Sequence, residues 1–141
     1  MFEPIIGDQF PKKVIPLIDS AKYSIKIIVF DWRWYPDDPG AAAQLFNQSI
    51  VRAVRRCVEV KVITNCEQIV KILNSLGCKA KKLYTKNLVH AKMMIIDNSV
   101  VVLGSHNYTQ SAFTTNQEIS ICVSEVGNID EFIKAFNFIY G

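Results

Sequence analysis

The sequence predicts an α/β fold: a mixed β-sheet with helices packed on both faces. Three observations predict it. Segments with apolar residues at helical spacing alternate with short β-branched runs along the chain. One of those runs, with SIKIIVF at its centre, is largely apolar, as a central strand covered on both faces would be. Half of the 141 residues are apolar and no tract is of low complexity, so the chain can build a real core and disorder is set aside. A single domain, residues 1–141, is expected at this length.

In chain order, Phe10 to Ala21 reads as an opening helix with Val14, Leu17, Ile18 and Ala21 on one side. Pro11 suits a first turn, whereas Pro16 predicts a kink or a later start. Tyr23 to Asp31 is a strand, and the DWRWYPDDPG that follows is a loop by its prolines, glycine and acids. Ala41 to Val58 is a helix with Arg52, Arg55 and Arg56 mostly off its apolar stripe, and Glu59 to Thr64 a short strand. Thr64 and Glu67 form a capping-box pattern for a helix through Leu76, closed by Gly77. Cys78 to Tyr84 is a further strand. Val89 to Ile96 and Val100 to Leu103 flank the turn signal Asp97-Asn98-Ser99 and predict an antiparallel hairpin. TQSAFTTNQ is a polar connection with a short helical turn, and Glu118 to Ser124 a strand. Ile129, Phe132, Ile133, Phe136, Ile139 and Tyr140 form the stripe of a last helix capped by Asn128.

The chemistry concentrates in the hairpin. Between Val89 and Tyr108 stand His90, Lys92, Asp97, Gly104, Ser105 and Asn107, in the pattern H-x-K-x4-D-x6-G-S-x-N. Six fixed positions arise by chance in such a chain on the order of once in a million, so coincidence explains little. Alternate residues of a strand share a face, which points His90 and Lys92 the same way. The hairpin returns Gly104, Ser105 and Asn107 beside them, and Gly104 permits close backbone approach. An imidazole, an ammonium, a hydroxyl and a carboxamide then converge. That set suits a phosphodiester: the lysine neutralises phosphate oxygens, Ser and Asn donate, and a neutral imidazole attacks phosphorus through a phosphohistidine. No metal and no cofactor are needed by this logic. His106, at the variable position, faces away and reads as incidental.

These residues resemble the HKD motif of the phospholipase D superfamily, present here once. The short chain resembles the small single-motif, Nuc-like endonucleases. The resemblance implies His90 as nucleophile, Lys92 as phosphate clamp, and Ser105 and Asn107 as supporting donors. Asp97, the motif aspartate, falls on the opposite strand face from His90 and takes a structural or ion-pairing role. Glu118, in NQEISICV, stands where the family has an acid that hydrogen-bonds the histidine and fixes its tautomer.

A two-step displacement needs a second acid–base group. With His106 poorly placed, the simplest source is another subunit's His90 across a two-fold axis. The family's full site, with two HKD motifs, implies the same: a homodimer with one composite active site, insensitive to EDTA.

Substrate signals are more diffuse. Net charge is +3, but residues 51–92 carry ten Lys/Arg against Glu59 and Glu67, which suits a polyanionic partner or a solvated helix face. Lys82 and Lys86, with Lys79 and Lys81, cluster upstream of His90 as candidate backbone contacts or as a solvated edge strand. Trp32, Arg33 and Trp34 are candidate substrate contacts near the site mouth, able to stack on bases, unless a tryptophan plugs a core edge or a subunit interface. The leading expectation is a nuclease for DNA or RNA. Lipid phosphodiester hydrolysis or transfer is the alternative, and a non-catalytic nucleic-acid-binding subunit a third. The four cysteines show neither a zinc pattern nor a disulfide framework. With no leader pattern and no membrane-length apolar run, a cytoplasmic protein without a membrane anchor is expected.

Overall fold

The computed structural model describes residues 2–83, 86–124 and 127–141. They form a seven-stranded mixed sheet in the order β1-β7-β6-β5-β2-β3-β4. The strands are β1 (Phe2–Ile6), β2 (Ser24–Val29), β3 (Glu59–Thr64), β4 (Lys79–Lys81), β5 (Met93–Ile96), β6 (Val100–Gly104) and β7 (Ile119–Ser124). The helices are α1 (Gln9–Ser20), α2 (Ala42–Arg55), α3 (Glu67–Leu76), α4 (Gln110–Thr114) and α5 (Ile129–Tyr140). β2, β3 and β4 run parallel, joined through α2 and α3; the other neighbours pair antiparallel. Among the described residues no helix is long and apolar enough to cross a membrane.

Helices cover both faces, as expected, but unequally. Apolar residues of α1, α2, α3 and α4, such as Val14, Phe46, Leu73 and Phe113, pack on one face against Ile25, Ile27, Val62 and Val102. On the other face only α5 packs, through Ile129 and Phe136, against Ile28, Ile63, Met93, Ile95 and Val101. That helix leaves the β1–β7 end bare. Phe2, Ile6 and Ile119 are exposed there, paired across the strands as Phe2↔Val123 and Ile6↔Ile119.

The structure departs from the sequence reading at several points, each with a local cause. β1 was not expected: Pro4 interrupts it and supplies no ladder N–H, which an edge strand tolerates. α1 runs unbroken through Pro16. Lys12 and Pro16 are both exposed there, so water can take the carbonyl that the proline leaves without a donor. The capping box is not formed. Cys66 is the N-cap of α3, and the buried Thr64 hydroxyl has no hydrogen-bond partner among the described residues. Gly77 does close α3, in the left-handed conformation. The strand expected from Cys78 covers only Lys79–Lys81, and Tyr84 lies outside the described residues. The strand expected from Val89 begins only at Met93.

The hairpin turn is where Asp97 acts. Asp97 and Asn98 both take φ 53°, a conformation that short polar side chains tolerate, and Ser99 N–H closes the turn onto Ile96 O at 3.0 Å. The Asp97 carboxylate accepts the backbone N–H groups of Lys22, Tyr23 and Ser24 at 2.7–3.2 Å. It thereby ties the turn to the start of the central strand, and among the described residues Asp97 makes no ion pair. Partial burial works to raise the Asp97 pKa, but the N–H groups of Lys22, Ser24 and Tyr23 outweigh it and hold the pKa below the usual carboxylate value. A depressed carboxylate pKa contributes stability that is present above the usual value and lost as pH falls through the folded-state value. Asp97→Asn, which keeps the turn conformation and removes the charge, should lower unfolding stability by about 1–2 kcal/mol at neutral pH. In urea titrations the gap between wild type and variant should close below about pH 4.

Candidate active site

Four chain segments meet at one end of the sheet: the end of β2, the approach to β5, the end of β6 and the approach to β7. Antiparallel pairing of β5 with β6, Met93 opposite Leu103, sets Lys92 beside Gly104, and the Gly104 N–H donates to Lys92 O at 3.3 Å. Gly104 sits at φ +154°, and a Cβ there would lie 2.4 Å from Ser120 Cα and 2.6 Å from Ile119 O. Only glycine lets β6 and β7 approach this closely at the site.

His90 is exposed and Lys92 half-buried, both just before β5. They nevertheless converge: the Lys92 Nζ lies 3.2 Å from His90 Nδ1 and 3.3 Å from Nε2. The ring of Phe30 packs on His90, centroids 4.9 Å apart, and fixes the imidazole from the β2 side. Asn65 at the end of β3 donates to Val89 O at 2.8 Å and anchors the segment before His90.

The remaining motif residues are arranged differently from the expectation. Ser105 Oγ donates to Glu118 Oε1 at 2.6 Å and accepts the Ile119 N–H at 3.0 Å. Its proton is therefore committed to the carboxylate, so in this arrangement it positions Glu118 and is not a free donor. Asn116 donates to the other Glu118 oxygen at 3.2 Å. The expected Glu118–His90 hydrogen bond is not among the contacts of the described residues; the Glu118 carboxylate is instead held by Ser105 and Asn116. Asn107 Oδ1 accepts the Asp31 N–H at 3.1 Å. This orients the carboxamide and leaves its NH2 group without a hydrogen bond among the described residues.

His106 is buried between Ser120 and Gly7. Its Nε2 lies 2.9 Å from Gly7 O, which can only accept, so Nε2 carries the proton and Nδ1 accepts from Ser120 Oγ at 2.7 Å. Burial holds its pKa below the usual histidine value, as suits a neutral structural imidazole.

Of the substrate-contact candidates, Trp32 is a correction. It is fully buried, its Nε1 donates to Asn47 Oδ1 at 2.7 Å, and its ring meets Tyr108 edge-on. Such a side chain cannot stack on a ligand; it plugs the core. Trp34 is half-buried and Arg33 exposed, with an ion pair of 2.9 Å to Asp31 that raises the guanidinium pKa. Both flank the site, since Arg33 N–H donates to Tyr108 O and Tyr108 N–H to Asp31 O. Lys86 is exposed, Lys82 half-buried with partners of its own, Lys79 pairs with Glu59, and Lys81 bonds Tyr140 O. None of the four contacts His90 among the described residues.

Phe30, Asp31, Asn65 and Asn116 escaped the sequence reading. A signal existed for three of them: Phe30-Asp31 and Asn65 close the apolar runs of two adjacent parallel strands, whose carboxyl ends carry sites in open α/β sheets. No group of three or more His, Cys, Asp or Glu suited to a metal occurs among the described residues.

The family model described as "Cardiolipin synthase, PLD-like domain" matches residues 14–140. The chain belongs to this phospholipase D-like family. A mouse (Mus musculus) protein named mitochondrial cardiolipin hydrolase is 27% identical over 127 residues, covering 86% of this chain and 53% of the mouse protein. The chain thus spans about half the length of the curated relatives it matches. Among solved structures, the phospholipase D family member Nuc from Salmonella typhimurium superposes with a TM-score of 0.77 at 23% identity, covering 97% of this chain and 93% of Nuc. NucT from Helicobacter pylori gives 0.75 at 21%, with the same coverage. At these identities the structural matches speak for the fold, which is the phospholipase D-like one.

Trp32 and Arg33, adjacent in this loop, should separate cleanly on mutation. Trp32→Ala should cost about 3–5 kcal/mol in urea unfolding, as large core truncations do. Arg33→Ala, on an exposed side chain, should stay within about 0.5 kcal/mol of wild type.

Proposed function

We propose that the protein is a metal-independent phosphodiesterase that hydrolyses nucleic acid through a phosphohistidine at His90. The observation that carries this reading is the position of Lys92 Nζ within 3.3 Å of both His90 ring nitrogens. A phosphorus atom bonded to either nitrogen would hold its non-bridging oxygens within reach of that ammonium. Asn107 NH2 is the further donor, and Glu118, held by Ser105 and Asn116, supplies a fixed negative charge beside the site.

In the first step a ring nitrogen of His90 attacks phosphorus and the P–O bond to the leaving group breaks. The departing oxygen takes a proton from a second group. In the next step that group removes a proton from water, whose oxygen attacks phosphorus and breaks the P–N bond. The second group is a partner subunit's copy of the same histidine, in a homodimer with one composite site. Two features support this. His90 is exposed and no other acid–base histidine is near, His106 being buried and engaged. The bare apolar strip of Phe2, Ile6 and Ile119 lies directly beside Glu118, on the face that α5 leaves uncovered. An isologous contact there would bring both copies of the site toward one axis.

Nucleic acid is favoured as substrate by the basic stretch 51–92 and by Arg33 beside the site. Near-complete coverage of Nuc, against half of the cardiolipin hydrolase, points the same way. The name of the mouse relative supports a second reading, hydrolysis of a phospholipid phosphodiester.

Purified protein in excess EDTA should cut labelled DNA or RNA, and His90→Ala should be inactive under the same conditions. Lys92→Ala should lose about 10²–10³ in kcat, the loss seen when one oxyanion donor is removed. No cleavage of any nucleic acid by a folded protein, with turnover of cardiolipin vesicles, would replace this reading with the lipid one.

A further inference from the structure

Three hollows cluster around Arg33. The first, about 300 Å3, is lined by Phe30, Asp31, Arg33, Asn65 and Cys66, and so abuts His90 through the Phe30 ring. The second, about 210 Å3 and the most enclosed of the three, lies between the loop and α3. Its inner surface is Trp32 and Ile69, both buried; Trp34 and Ile72 form apolar walls; the exposed Arg33 and Gln68 form its rim. The third, about 380 Å3, lies on another side of Trp34 and shares Asp31 and Arg33 with the first. All three hollows share Arg33, and the first lies beside Phe30, whose ring packs on His90.

The shape and chemistry of the second hollow select among ligands. It is too small for an acyl chain of membrane length, and an apolar tail would not gain from a guanidinium and a carboxamide at the rim. A flat heteroaromatic ring gains from each of its parts. An indole wall offers a stacking face, the apolar lining displaces water, and the Gln68 amide can both donate to and accept from a ring edge. The Arg33 Nε is paired with Asp31, and its terminal NH2 groups can donate to a phosphate beside the base. Arg33 follows Phe30 by three residues, so its Cα lies within about 11 Å of that of Phe30. A nucleotide near the one under attack can span this.

We propose that the hollow between Trp34 and α3 is a nucleobase pocket. It holds one unstacked base of a single strand against Trp34, with Gln68 at the base edge and Arg33 on the adjoining phosphate. This rests on the nucleic-acid reading of the site and adds to it a preference for single-stranded or locally opened substrates, whose bases are free to leave the stack. It also accounts for the Trp-Arg-Trp order: the first tryptophan packs the core beneath the hollow, the second forms its wall, and the arginine between them points to solvent.

The test is binding, read by fluorescence anisotropy in the non-cleaving His90→Ala background. The probes are a short single-stranded oligonucleotide and the same backbone with abasic sites. Wild-type pocket residues should bind the base-bearing strand at least about tenfold more tightly than the abasic one, the scale of one base stacked on an aromatic side chain. Trp34→Ala should remove that advantage and leave abasic binding unchanged. Ile72→Trp, which fills the hollow from α3 while leaving Trp34 and its packing in place, should do the same if Trp34→Ala destabilises the fold. Equal affinity of the two strands for the unmodified pocket, or equal loss on both strands in the variants, would overturn the pocket while leaving the nuclease reading intact. Binding of neither strand would overturn both.

Discussion

The site depends on one backbone constraint, the antiparallel register of β5 and β6 continued by the hydrogen bond from Gly104 N–H to Lys92 O. That ladder places the residues before β5 beside the residues after β6. The Gly104 conformation, with Ser120 and Ile119 where a Cβ would be, lets β7 close onto the same end. Asp97 guards the register from the far end of the hairpin by holding the turn to the backbone of residues 22–24. A shift of one residue would turn His90 and Lys92 away from Ser105 and Asn107. The motif spacing is thus a statement about strand register: Asp97 and Gly104 build the geometry that the polar residues use.

Much of this was legible in the sequence because it is periodic or local. The hairpin, β3, α5 and the closure of α3 at Gly77 follow from short-range patterns, and the motif alone brought His90 and Lys92 together. What was not legible depends on distant partners. Trp32 lies in a polar loop, and only Asn47 and Tyr108, on other elements, show that it faces inward. The commitment of Ser105 to Glu118 comes from the pairing of β6 with β7, which sets Gly104 opposite Ser120. β1 is too short, too exposed and too interrupted by Pro4 to carry a pattern, and it exists because the β7 edge is there to pair with. The start of β5 was misplaced for a related reason: Val89 to Lys92 have strand composition but support the site instead of the sheet.

The unequal covering of the sheet links fold to proposed mechanism. Four helices seal one face and a single helix part of the other, so the apolar end beside Glu118 and Ser105 is left facing water. Exposure of an apolar strip is unfavourable for a lone chain and natural for a surface that meets its own copy. One His90 per chain, exposed and without an acid–base partner, is a half-site in the same sense. In the proposed mechanism the chain gives the nucleophile with its phosphate clamp, and the two-fold axis gives the acid and base.

The most direct test of this account is to catch the intermediate. Enzyme mixed with a substrate labelled at the scissile phosphorus would be quenched in alkali within one turnover, and the protein digested and sequenced by mass. The account predicts label on the peptide containing His90, stable to alkali and released by acid. Complete turnover with label passing only to water and product, and none on the protein at any time in the first turnover, would contradict it.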